Sequence, residues 1–177
     1  MINRGLVRKA FREIWPTTVL LGLVLFCFEA LVSYVLPVYH TQLSDSLMQI
    51  EFLRQFISAM LGAKLTDQLS PTTFLALAWV HPVILALVWA HAVVVCTRVP
   101  AGEIDRGTID VLLGWPISRW ELFASETVVT LFSGLVVMAA MVAGNMLGSS
   151  ADPDVDIGLR PRVMIVCNLY CLYLAVC

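Results

Sequence analysis

Charge is scarce in this chain. Its 177 residues hold 11 Lys and Arg and 13 Asp and Glu, 14% of the total, where a soluble domain carries about a quarter. With a hydrophobic share of 59% and a mean hydropathy of +0.86, that scarcity excludes an ordinary water-soluble globule and points to an integral membrane protein. A net charge of -2 offers no basic surface to a nucleic acid. No CxxC pair is present, and Cys27, Cys96, Cys167, Cys171 and Cys177 all stand in apolar runs. They read as soft packing residues rather than a redox or metal centre. The phosphate-cradling GxxxxGK[ST] loop is missing, as are GxSxG and HExxH, so the chain carries no recognisable motif for ATP binding or hydrolytic catalysis.

What the chain does have is apolar length. A membrane helix needs roughly 20 mostly apolar residues. Thr17–Val38 meets this with one charge, Glu29, while Phe74–Cys96 and Thr127–Leu147 contain none. A fourth run, Val163–Cys177, reaches the terminus after about 15 residues, short for a crossing. The expectation is a single all-α, polytopic transmembrane domain over 1–177 with about four spans, the last incomplete, in a chain that is truncated. The basic start MINRGLVRKAFR would suit a signal peptide. The apolar run behind it exceeds the usual 7–15 residues or so and lacks a small-residue cleavage site, so it reads as a retained span.

Lys and Arg set orientation. Arg4, Arg8, Lys9, Arg12, Arg98, Arg106 and Arg119 flank one side; Arg54, Lys64, Arg160 and Arg162 flank the other. The bias predicts a cytoplasmic N-terminus in a prokaryotic inner or plasma membrane. Over 1–15, Arg4, Arg8 and Arg12 share one helical face, and Ile2, Leu6, Ala10 and Ile14 another. This predicts an interfacial amphipathic helix on the bilayer, turned into the first span at Pro16. Outside, Leu43, Leu47, Ile50, Leu53, Ile57 and Met60 or Leu61 mark a second amphipathic stripe.

Charge gathers in one place, AGEIDRGTIDVLLGWPISRWELFASE, from Ala101 to Glu126. Pro100 and Gly102 break the second span. Glu103 and Asp105 suit a helix N-terminus, and Ile109, Leu112 and Leu113 form a short apolar stripe that would seat it on the spans. Gly114-Trp115-Pro116 ends it, and Ser118 with Glu121 has the capping-box pattern ahead of the third span. The segment 101–121 thus reads as a short charged helix between two breaks. Such a helix either docks a soluble partner or is simply a solvated turn.

These residues resemble the signature of type-2 ABC-transporter permeases. Gly102, Glu103, Arg106, Gly107, Thr108, Leu112, Leu113, Pro116, Ser118, Arg119, Glu121 and Leu122 match it at fixed spacing. The likeness covers most of Met1 to about Leu147 and is strongest to the subgroup with copper-site maturation permeases. It implies a permease subunit of an ABC exporter, with the segment as coupling helix fitted into a separate ATPase subunit. ATP would be held on that partner and no cofactor bound directly. It also implies a second permease subunit, identical or not, and six spans per subunit. In the family a basic residue often stands where this chain has Glu126. On this reading Glu103, Asp105, Arg106 and Asp110 supply a polar docking face. Gly102, Gly107 and Thr108 complete the coupling interface, Gly107 permitting close approach.

Polar residues inside the spans are the remaining candidates. Glu29 is costly there and should face the bundle or water; it is a candidate transport-path residue or a hydrogen-bonding partner for a neighbouring helix. His81 and His91 lie about 80° apart around a common helix, with Pro82 a candidate kink. Packed histidines are the ordinary reading, and a haem-binding redox subunit is an alternative. So is a membrane scaffold that recruits a partner without transporting anything. Asn145 and Asn168 read as inter-helix glue. Asp152, Asp154 and Asp156 read as a solvated outer loop, too poor in oxygen ligands for calcium.

Overall fold

The computed structural model describes residues 3–39, 50–61, 78–150 and 157–177, and the regular structure among them is helical. Helix α1 (Arg4–Val38) is followed by α2 (Glu51–Leu61) and α3 (Pro82–Thr97). Two short helices, α4 (Glu103–Asp105) and α5 (Ile109–Leu113), lead into α6 (Arg119–Ser149) and α7 (Leu159–Val176). Helices α1, α6 and α7 are long and apolar enough to cross a membrane, while α3 is shorter at 16 residues. Leu43, Leu47, Asp152, Asp154 and Asp156 lie outside the described residues, as do positions 74–77 of the second expected span.

Several boundaries differ from those predicted. Pro16 does not turn the chain: α1 continues through it as one helix. A proline removes one N–H and crowds one carbonyl. Packing on both sides holds the axis here, with Ala10 and Ile14 buried before Pro16 and Thr18 buried after it. Residues 4–15 are therefore the lower turns of α1, not a separate interfacial helix. Pro82 kinks nothing, because it occupies the first turn of α3, where its missing N–H costs nothing. His81 is the N-cap, its ring accepting from the Val83 N–H at 3.3 Å. The third span starts at Arg119 rather than Thr127, so the charged segment feeds straight into α6. Helix α7 begins at Leu159, not Val163, and its 18 residues rise about 27 Å, close to a full crossing.

The pairing of α1 with α6 organises the bundle. At Gly144 an added Cβ would sit 2.3 Å from the Phe26 carbonyl oxygen, and at Gly148 2.3 Å from that of Ala30. With Ala140 one turn earlier lying 3.7 Å from where a Cβ on Gly22 would sit, small residues recur every fourth position and bring the two backbones into contact. The main core lies beside this crossing, where Leu25, Trp79, Ile84, Val88, Met138 and Tyr173 are fully buried. A second cluster, Ala10, Ile14, Val95 and Val129, closes the lower end, near the charged segment.

Candidate functional site

The charged segment is built by two breaks. Val99 precedes a proline, which disfavours the helical region for it. It is extended at φ -131° and ψ 128°, and the chain leaves α3 there. Helix α4 makes a single turn before Gly107 takes φ +68°, closed by Gly107 N–H to Ile104 O at 3.0 Å and Thr108 N–H to Glu103 O at 2.9 Å. Gly107 thus serves the turn itself, a left-handed conformation that L side chains avoid. Helix α5 follows, and the second break ends at the expected capping box. Ser118 Oγ accepts from Glu121 N–H at 3.1 Å, and the Glu121 carboxylate accepts from Ser118 N–H at 3.1 Å.

Two faces result. Asp105, Arg106, Gly107, Thr108 and Asp110 are exposed, and Gly102 is half-buried. Glu103 is not part of the outer face. It is 2% exposed and turned inward, where Thr108 Oγ1 donates to its carboxylate at 2.5 Å and Lys9 Nζ of α1 at 3.2 Å. Arg106 reaches it at 3.9 Å. The Thr108 hydrogen bond, and then Lys9, hold the Glu103 carboxyl below its ordinary value against the opposing effect of burial. Leu112 is buried as expected and Ile109 half-buried. Apolar groups that the charge pattern does not flag join the outer surface: Ile104, Val111 and Trp115 are all more than half exposed. A cleft of about 300 Å³ lies between the segment and α1, walled by Lys9, Glu13, Arg106, Val111 and Trp115.

Behind the segment a single guanidinium ties three helices together. Arg98, at the foot of α3, donates to Glu13 of α1 through one terminal nitrogen and to Glu126 of α6 through the other. Its side chain is 8% exposed. The acidic residue that departs from the resembled pattern, Glu126, thus has a local partner.

Deeper in the bundle, Glu29 is fully buried between α1 and α6. Ser33 Oγ and Asn145 Nδ2 donate to its Oε2 at 3.4 and 3.5 Å. Asn145 also donates to Ser33 at 2.8 Å and accepts from Arg162 Nε at 2.8 Å, and Arg162 donates to Ser149. A buried carboxylate and a buried guanidinium are therefore joined through one amide. Asn145 is inter-helix glue as expected, whereas Asn168 is exposed on α7. Glu29 lines neither the cleft beside the charged segment nor the larger cavity at the start of α1.

Residues 12–173 match the family model described as the C-terminal domain of the multidrug efflux system permease Rv1217c. The chain belongs to this family. It is a permease domain, a component of a membrane transporter. Comparison with curated proteins and with solved structures gives no match.

Within this permease the two histidines take structural positions. His91 is fully buried, with Thr18 Oγ1 at 3.0 Å from Nε2 and Tyr173 Oη at 3.2 Å from Nδ1. It joins α1, α3 and α7, and both ring nitrogens are engaged. His81 uses Nδ1 as a helix cap and packs its ring 5.3 Å from Phe28. An axial haem ligand needs a ring nitrogen free to point at the iron, and His91 has none to offer. The pair does not fit the redox alternative.

Proposed function

We propose that this permease is the membrane-spanning subunit of an ATP-driven ABC exporter in a prokaryotic cell membrane. Its N-terminus and the 101–121 segment face the cytoplasm, a separate ATPase subunit docks on that segment, and a second permease subunit completes the path. One observation carries the reading. At the foot of the apolar helices, two backbone breaks hold out a short helical hairpin whose outer side shows Asp105, Arg106, Thr108 and Asp110, while its inner side is fastened to α1 through Glu103 and Lys9. ATP stays on the partner. Closure of two ATPase subunits would move the hairpin, and the Lys9–Glu103 bond and the Arg98 clasp would pass that motion to α1 and α6. The sequence likeness to copper-site maturation permeases is a narrower form of the same reading.

The test uses residues that leave the fastening intact. Asp105→Arg with Asp110→Arg should insert normally, both being exposed. It should cut ATPase co-purification sharply, since like-charge juxtaposition across an interface costs several kcal/mol. Equal ATPase recovery and equal ATP turnover, at matched membrane levels, would remove the segment as the coupling element. ATP turnover indifferent to this subunit would leave a scaffold.

A further inference from the structure

The lower turns of α1 present a surface that docking does not use. Arg4, Arg8 and Arg12 line one side of an open cavity of about 730 Å³, with Phe11, Trp15 and Val128 forming its apolar wall. Phe11 and Trp15 stack at 5.1 Å, and Phe11 lies 5.5 Å from Phe132 of α6, just beyond the cavity. The arginines are exposed, and among the described residues no salt bridge engages them; Lys9, on the neighbouring face, is taken by Glu13 and Glu103. The apolar wall does not end at Trp15. Val19, Leu20 and Leu23 on α1 and Phe132 and Leu135 on α6 continue it, all exposed.

Helix length sets the depth of this cavity. The 35 residues of α1 rise about 52 Å, against a hydrocarbon core of about 30 Å. With the apolar run Thr17–Val38 filling the core, Trp15 falls in the headgroup layer, Arg12 at its outer edge and Arg8 about 6 Å further out, a distance its long side chain spans. Cations above and a continuous apolar strip below match a molecule with an anionic head and acyl tails.

We propose that this cavity is a binding site for one anionic phospholipid, its phosphate held by Arg8 and Arg12 and its acyl chain laid along Trp15, Val128 and Phe132. The site is specific because the helix does not lie flat. Leu6, Ala10 and Ile14 turn into the protein, so the arginine row and the Phe11–Trp15 stack form a walled groove rather than a film on the bilayer. The proposal rests on the membrane placement of α1 and is independent of ATPase docking.

The test is quenching of tryptophan emission by brominated lipid in nanodiscs holding the full chain. Subtracting the signal of Trp15→Phe isolates Trp15 from the other four of the chain's five tryptophans. A small fraction of brominated phosphatidylglycerol should quench Trp15 well beyond the same fraction of brominated phosphatidylcholine. The R8Q/R12Q variant should lower that preference roughly thirty-fold, each cation near an anionic lipid being worth about a factor of five. R8K/R12K and Arg160→Gln should retain it, and single R8Q and R12Q variants give the intermediate steps should the double variant fail to fold. Equal quenching by the two lipids overturns the proposal, as does a preference that survives loss of both arginines. Displacement by inorganic phosphate also overturns it, by making the site one for a soluble anion.

Discussion

Lys9 Nζ lies 3.2 Å from Glu103 Oε1, joining the second turn of α1 to the first turn of the charged segment across 94 positions of sequence. Glu103 also receives the Thr108 hydroxyl. One carboxylate therefore closes the hairpin and fastens it to the spans. Its folded pKa is depressed below the ordinary 4.5. The contribution is fully present above that value and is lost as pH falls through the folded one. Protease sensitivity of the hairpin in detergent should stay flat from neutral pH to about 5 and rise only below about 4.5. Glu103→Gln should be sensitive throughout and lose that acid step; an unchanged acid step would assign it to another group.

Arg98 holds Glu13 and Glu126 at once. Glu126→Arg sets two cations side by side and should cost about 3 kcal/mol, in the range for breaking a largely buried pair. Adding Arg98→Glu to it restores opposite charges on α3 and α6 and should recover part of the loss. Thermal unfolding in detergent reads both. A charge swap no more stable than Glu126→Arg alone would show that the clasp depends on Glu13 instead.

At the α1–α6 crossing, Gly144→Ala and Gly148→Ala each force a methyl to 2.3 Å from a backbone oxygen. Overpacking of this kind costs about 1–3 kcal/mol. Gly22→Ala, whose added carbon meets only the Ala140 side chain at 3.7 Å, should be nearly neutral. Matched thermal midpoints for all three would mean that the helices do not meet at Gly144 and Gly148.

Glu29→Gln keeps an oxygen to accept from Ser33 and Asn145, so membrane levels should be normal while transport falls through loss of the charge. Glu29→Leu should also lower stability, because unpaired buried donors cost about 1–3 kcal/mol. Full transport by the Gln variant would reduce Glu29 to a packing role.

Topology is read by single-cysteine labelling in a cysteine-free background. A cysteine replacing the exposed Asp105 should react only after the membrane is opened, given the seven Lys and Arg on that side. Ready reaction in intact cells reverses the orientation.

The helical class and the short helical segment between two breaks are legible in the sequence because they depend on local signals: long apolar runs, Val99 before a proline, a capping box from Ser118 to Glu121. Pro16 and Pro82 mislead in opposite ways. The first is tolerated inside a helix because its flanking turns are packed, and the second starts a helix that composition alone extends upstream. The Ala140, Gly144 and Gly148 spacing is readable in principle, but its partner face on α1 is not. Glu103 turns inward because of Lys9, and Glu126 pairs with a cation 28 positions away. Such long-range partners leave no periodic trace in the chain.

The unbroken passage of α1 through Pro16 has a mechanical meaning. From Lys9 to the crossing at Phe26 the rod rises about 25 Å, and from Ala30 to Val38 about 12 Å. With the glycine contacts as fulcrum, a sideways push at the Lys9 end reaches the far end reversed and geared down about two to one. A hinge at Pro16 would absorb that stroke; a continuous helix transmits it.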